Sequence, residues 1–144
     1  MDRALDQARA AASAGEVPVG AVLVEAQTGR ILAETRNRIE ELSDPTAHAE
    51  ILAIRAGAAA LGSPRLPDCD LYVTLEPCPM CAAAIAFARV RRVYYGAGDP
   101  KGGAIDHGVR LFDQPTCHHR PEVYGGIGET EAATLLREFF QARR

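Results

Sequence analysis

Apolar residues recur along the chain with two different spacings, one typical of helices and one of strands. Near the N-terminus, alanine and leucine recur three and four positions apart, which predicts a first helix that stops at Gly15. Residues 17–24 form a continuous stretch without polar side chains that is rich in β-branched valine, and a polar turn separates them from a second apolar stretch at residues 31–35. These two stretches predict a β-hairpin.

The middle of the chain repeats a helix and strand pattern. A second helix is predicted to open within residues 43–46, where capping side chains accompany a proline, and to run to Leu61 before a glycine. Strand 71–75, the alanine-rich helix 79–88 and strand 91–96 follow with short connections. A strand, a helix and a strand joined in this way form a βαβ unit, so the pattern predicts an α/β fold with helices on both faces of a sheet.

The last third of the chain is less regular. Glycine, proline and polar residues dominate residues 99–124, which indicates a long functional loop with a short strand at residues 122–124. A final helix is predicted over residues 129–144.

Length and composition narrow the class of protein. With 144 residues, 47% of them hydrophobic and 24% charged, the chain fits one globular domain over residues 1–144 and excludes disordered and fibrous proteins. The longest run of aliphatic and aromatic residues, 82–88, is far shorter than the roughly 18 residues of a membrane-spanning helix. Charged residues interrupt the first turns and argue against a signal peptide, so we expect a cytoplasmic protein without a membrane segment.

Two cysteines stand out as candidate metal ligands. Four cysteines are too few for a disulfide scaffold, but Cys78 and Cys81 are three positions apart at the predicted start of a helix. The positive end of the helix dipole favours the thiolate form that a metal needs. Zinc suits such a site: a catalytic zinc takes three protein ligands, whereas a structural one takes four. Cys69, Cys117 or His118 could supply a ligand to a structural site.

One histidine has a useful neighbour. His48 lies at the predicted start of the second helix, and Glu50 follows two residues later. On a regular helix such side chains point about 200° apart, so both could serve one site only at the helix end. A carboxylate facing a zinc-activated water could carry protons to a leaving group.

The His48 and Glu50 pair and the Cys78 and Cys81 pair together resemble the signature of a known family. His48-Ala49-Glu50 and Pro77-Cys78-Pro79-Met80-Cys81 match the H-x-E…P-C-x-x-C signature of zinc-dependent nucleobase deaminases. The chain most resembles the bacterial tRNA-specific adenosine deaminases of this superfamily. The similar stretches cover nearly the whole chain and include residues 16–22, 37–38, 44–50, 71–78 and 99–101.

The resemblance implies a fold, a reaction and a partner. The implied fold is a three-layer α/β/α, cytidine-deaminase-like homodimer with a mixed five-stranded sheet. His48, Cys78 and Cys81 would hold one zinc ion per chain, and Glu50 would be the catalytic proton shuttle. The implied reaction is hydrolytic deamination of adenosine to inosine at the wobble position of tRNA, by attack of zinc-activated water on C6.

The resemblance also implies residues that bind substrate. By motif position, Asn37 would hydrogen-bond the flipped base and Val17 would help to wall its pocket. Asp99 and Lys101 resemble positions that contact the tRNA anticodon loop.

Two other functions stay open at this point. A deaminase of a free base or nucleoside, such as guanine, cytosine or cytidine, would use the same zinc chemistry. A catalytically inactive zinc protein that binds RNA is the other alternative, although binding alone needs no Glu50. The Phe139-Phe140 pair and the Arg143-Arg144 pair combine stacking rings with cations and favour RNA. The polar segment 118–120 could face phosphates or plain solvent.

Overall fold

The computed structural model describes residues 1–144 and contains five α-helices, one short 3-10 helix at Leu111–Asp113 and five strands. The helices are α1 (Asp2–Ser13), α2 (Ile39–Leu42), α3 (Ala49–Leu61), α4 (Pro79–Phe87) and α5 (Glu129–Gln141). The strands are β1 (Gly20–Glu25), β2 (Ile31–Arg36), β3 (Cys69–Leu75), β4 (Arg92–Ala97) and β5 (Glu122–Tyr124).

The strands form one mixed sheet in the order β2-β1-β3-β4-β5. β1 pairs antiparallel with β2 and with β3, and β3, β4 and β5 are parallel. Helix α4 makes the crossover between β3 and β4, so the βαβ prediction is confirmed. The predicted hairpin and the short strand β5 are also present.

Helices cover both faces of the sheet. Gly20 lies against α1, where an added Cβ would come within 2.0 Å of the carbonyl oxygen of Ala4. Leu23 is on the other face of β1 and contacts Gly57 of α3. Helix α5 packs beside α1, and α4 packs beside α3 over the larger hydrophobic core. These three layers confirm the predicted α/β/α architecture, and no helix is long and apolar enough to span a membrane.

Two predicted starts are wrong by three residues or more because local hydrogen bonds override the sequence pattern. Strand β1 begins at Gly20 and not at Val17, since Pro18 has no N–H and Val19 instead donates to the carbonyl of Val17. Helix α3 begins at Ala49 and not within residues 43–46. The carboxylate of Asp44 accepts the backbone N–H and the hydroxyl of Thr46, which holds this stretch in a turn.

Candidate metal centre and active site

Three side chains predicted as metal ligands meet at the ends of two helices. The Nδ1 atom of His48 lies 3.7 Å from the Sγ atom of Cys78 and 3.5 Å from that of Cys81. All three ligand atoms are within 4.8 Å of one another, and no other His, Cys, Asp or Glu joins the group. This set leaves a coordination position free, which is the arrangement of a catalytic zinc site rather than a structural one.

The local sequence explains why these side chains converge. His48 and Cys78 are the N-cap residues of α3 and α4, and both have an extended backbone. Pro79 occupies the first helical position, where the N–H that it lacks would have no partner within the helix. Because His48 precedes the first turn of α3, its side chain is not forced away from Glu50. Both residues line the same cavity.

Neighbouring side chains favour the thiolate form of Cys78. The neighbouring Cys81 side chain lowers the pKa of Cys78 to about 4, against the opposing effect of burial, and His48 lowers this pKa further. The pKa of Cys81 is raised by its bond to Cys78 and by burial. Hydrogen bonding to Cys78 raises the pKa of His48. The group therefore carries a soft anionic ligand next to an imidazole, a donor set that suits zinc.

Glu50 is the buried acid beside this group. Its side chain accepts a hydrogen bond from the Cys81 thiol at 3.3 Å, and the residue is only 4% exposed. Burial raises the pKa of Glu50 above its ordinary value. A raised pKa makes the carboxylate a stronger base, which suits a group that takes a proton from a reacting molecule.

A cavity of about 210 Å³ opens beside the metal group and receives most of the predicted substrate residues. Val17, Asn37 and Asp99 line it together with His48, Glu50 and Cys78. Lys101 is exposed and is not among the lining residues, although its N–H donates to the Asp99 carboxylate. The sequence interpretation missed five further lining residues, which are Val19, Ile39, Leu75, Glu76 and Gly102.

Asn37 is held rigidly in the cavity wall. Its Nδ2 atom donates to the carbonyl of Val17 at 3.3 Å, and its Oδ1 atom accepts the N–H of Ala49 at 2.8 Å. One amide hydrogen and one oxygen lone pair remain available for a ligand. The side chain thus ties the segment before β1 to the start of α3 while facing the cavity.

The remaining cysteines and histidines lie away from the metal group. Cys69 is buried in the hydrophobic core. Cys117 and His118 line a separate groove, and His119 donates from Nε2 to the carbonyl of Val90 at 2.7 Å. None of them supplies a fourth ligand, so the alternative of a closed structural zinc site finds no support.

Comparison with known proteins agrees with this geometry. Residues 1–144 match the family described as MafB19-like deaminase. The tRNA-specific adenosine deaminase of Agrobacterium fabrum is 61% identical over 144 residues, which are 100% of this chain and 93% of that protein. The chain belongs to the tRNA-specific adenosine deaminase family.

Solved structures place this family member among deaminases of the cytidine-deaminase-like fold. A structure from work on A-to-I editing by tRNA:A34 deaminases is 62% identical, with a TM-score of 0.92 over 94% of this chain and 97% of that one. Guanine deaminase from Bacillus subtilis is 34% identical, with a TM-score of 0.64 over 97% of this chain and 90% of that one. Family membership and the His-Cys-Cys group beside Glu50 identify the protein as a hydrolytic deaminase.

Proposed function

We propose that this protein converts adenosine to inosine at the wobble position of tRNA. The observation that carries the proposal is a buried Glu50 that faces the same cavity as His48 and Cys78, in a chain 61% identical to a tRNA-specific adenosine deaminase. The likeness to guanine deaminase is weaker in both sequence and structure, which makes a free base the second candidate. A tRNA substrate accords with a cytoplasmic enzyme.

We infer that His48, Cys78 and Cys81 hold one zinc ion per chain. One imidazole and two thiols are ligands that zinc prefers, and their atoms are close enough to share one ion. When bound, zinc would act as a Lewis acid and make a water molecule nucleophilic at neutral pH.

Glu50 moves the protons of the reaction. Water oxygen bonds to C6 of adenine, the bond between C6 and the amino nitrogen breaks, and ammonia leaves. Glu50 accepts one proton from the attacking water and passes it to N1, and it then takes the remaining proton of the added hydroxyl and passes it to the departing amino group. Its burial and raised pKa suit a group that must be charged in one step and neutral in the next.

The cavity walls hold the base in place for this chemistry. Asn37 offers its free amide hydrogen and lone pair to the base, and Val17 packs against the ring. Because the acid lies inside a cavity, the adenine must leave its stack, which is easiest in an unpaired anticodon loop. Asp99 and the exposed Lys101 lie on the segment that faces the flanking nucleotides.

The C-terminal aromatic pair divides into two roles. Phe139 is buried, and the guanidinium of Arg143 lies 3.4 Å from its ring centroid. Phe140 is 48% exposed and is free to stack on an unpaired base. Phe139 therefore packs the helix, and Phe140 is the candidate RNA contact.

The outer face of α4 supports the inferred homodimer. This helix has no charged residue, and Phe87 is 76% exposed beside a groove that Ala83, Ala86 and Leu111 help to line. A helix that is apolar on every side is normally buried on every side. We infer that a second copy of the chain covers this face, and Phe87→Glu should shift the measured molar mass from dimer to monomer.

One assay tests the proposed substrate. The purified protein is incubated in parallel with an anticodon stem-loop bearing adenosine at the wobble position, with free guanine and with cytidine, and the products are separated as nucleosides and bases. We expect inosine from the stem-loop and little turnover of the others. Efficient conversion of guanine without inosine would replace the proposed function with the second candidate.

A further inference from the structure

Glu76 is the most highly coordinated buried acid in the molecule, and the reaction does not use it. Its side chain has no exposed surface. The Oε1 atom accepts the N–H of Asp99 at 3.0 Å and lies 2.6 Å from Nδ1 of His107. The Oε2 atom accepts three backbone N–H groups, those of Ile105, Asp106 and His107, at 3.0 to 3.1 Å.

These contacts clamp both ends of the segment formed by residues 99–107. The segment contains no helix or strand, so its shape depends on such bonds. Gly103 passes directly over the carboxylate, where an added Cβ would be 2.5 Å from Cδ of Glu76. The neighbouring N–H of Ala104 donates to the carbonyl of Pro77, which fixes the middle of the segment to the same stretch of chain.

The clamped segment forms one wall of the cavity. Asp99 and Gly102 line it, and the Asp99 carboxylate accepts the N–H groups of Lys101 and Gly102. The position of Lys101 beside the cavity therefore follows from the position of Asp99, and the backbone of Asp99 is bonded to Glu76. The metal ligands and Glu50 depend instead on the ends of α3 and α4.

We propose that Glu76 is a positioning residue for RNA binding. Its carboxylate holds residues 99–107 in the shape that lets Asp99, Lys101 and Gly102 meet the nucleotides flanking the target adenosine. This inference rests on the proposed tRNA substrate. Glu76 borders the cavity but is not one of the metal ligands, and its carboxylate bonds only to residues 99–107, so we expect it to act on substrate affinity and not on the chemical step.

The variant Glu76→Gln separates these effects. In this variant an amide NH2 group replaces one of the two carboxylate oxygens. Whichever oxygen is replaced, the NH2 group would point at a backbone N–H, so two donors would oppose each other and a hydrogen bond would be lost. We expect KM for the anticodon stem-loop to rise about tenfold, the effect of about one lost hydrogen bond, while kcat stays within about threefold. The zinc content should not change.

A second measurement needs no substrate. Hydrogen exchange of the backbone amides in residues 99–107 should be faster in Glu76→Gln, whereas amides of α3 and α4 should exchange as in the wild type. If Glu76→Gln does not fold, Gly103→Ala pushes the same segment away from an intact carboxylate and should raise KM similarly.

Asp70→Asn is the matched control. Asp70 is a buried carboxylate at the opposite end of β3, and it forms a bidentate pair with Arg91 at 2.9 and 2.7 Å. Its loss should cost stability without changing KM or the exchange of residues 99–107.

The outcomes separate this proposal from the function on which it rests. An unchanged KM in Glu76→Gln overturns the positioning role, as does a joint loss of kcat and zinc, which would assign Glu76 to the metal site. If KM rises equally in Asp70→Asn, the KM effect of Glu76→Gln reflects general destabilisation, and the positioning role of Glu76 is again overturned. A wild-type protein that is inactive on the stem-loop refutes the proposed function, and with it the role in RNA binding, even if exchange shows that Glu76 orders the segment.

Discussion

The two sides of the cavity are built by different means. On the catalytic side, His48, Glu50, Cys78 and Cys81 sit at the starts of α3 and α4, two regular helices that pack on each other and on the sheet. On the substrate side, residues 99–107 have no regular structure and are fixed by bonds to one buried carboxylate. The chemistry therefore rests on local backbone geometry, and substrate recognition rests on distant tertiary contacts.

Because the two sides are built separately, the shape of the substrate side can change while the geometry of the catalytic side stays the same. A loop anchored by a few hydrogen bonds can change its shape without moving the helix ends that carry the metal ligands. The similarity in fold to a guanine deaminase at 34% identity fits this view, since the substrates named for the two groups differ. Substitutions on the two sides should accordingly change different kinetic parameters.

Cys81→Ala should give the largest effect, because it removes a metal ligand from the catalytic side. We expect no detectable deamination and a protein that fails to retain stoichiometric zinc by elemental analysis. Removal of zinc from the wild type by a chelator should lower Tm by about 10 °C, and added zinc should restore it. The Tm of Cys81→Ala should not respond to zinc, and stoichiometric zinc in this variant would refute the ligand assignment.

Glu50→Gln should strongly lower the rate of deamination while zinc stays bound. The amide cannot carry protons, so kcat should fall by about 10² to 10⁴ on every substrate that the enzyme accepts. Zinc content and KM should stay close to their wild-type values. Deamination within a few-fold of the wild-type rate would show that another group moves the protons.

The same division explains what could be predicted from the sequence. The βαβ unit follows from apolar runs, the Cys78 and Cys81 pair follows from a spacing of three residues at a helix start, and the assignment of His48 as the third ligand follows from the family resemblance. Glu76 could not be found in this way, because its partners lie 23 to 31 positions further along the chain. The only feature of the sequence that could have drawn attention to Glu76 is its position directly before Pro77-Cys78.

The unpredicted helix α2 has a similar origin. It carries Ile39 of the cavity wall and is anchored by the buried Glu16, whose two carboxylate oxygens accept the N–H groups of Glu40 and Glu41. These partners are 24 and 25 positions apart in sequence. No periodic pattern over four residues could have indicated the helix.

Asn37→Ala tests the point where the two sides meet, and its effect should be smaller than that of Glu50→Gln. We expect kcat/KM to fall about 10²-fold, since the base loses its hydrogen bond and its alignment. The variant also leaves the N–H of Ala49 without its acceptor, so Tm should fall. Asn37→Asp keeps that acceptor but loses the donor to the carbonyl of Val17, so Tm should recover at most in part and kcat/KM should stay low; recovery of kcat/KM would limit Asn37 to a structural role.

Lys101→Ala should give the smallest effect and acts only on the substrate side. Lys101 is exposed and forms no ion pair, so its loss should leave Tm, zinc content and kcat unchanged. Losing one phosphate contact should weaken stem-loop binding about threefold near 0.1 M salt and make the logarithmic salt slope shallower by about 0.7. The gap between wild type and variant should then narrow as salt rises. Arg65→Ala, an exposed cation beyond the far end of α3, should change neither affinity nor slope, and an equal effect from it would show that Lys101 contributes only net charge.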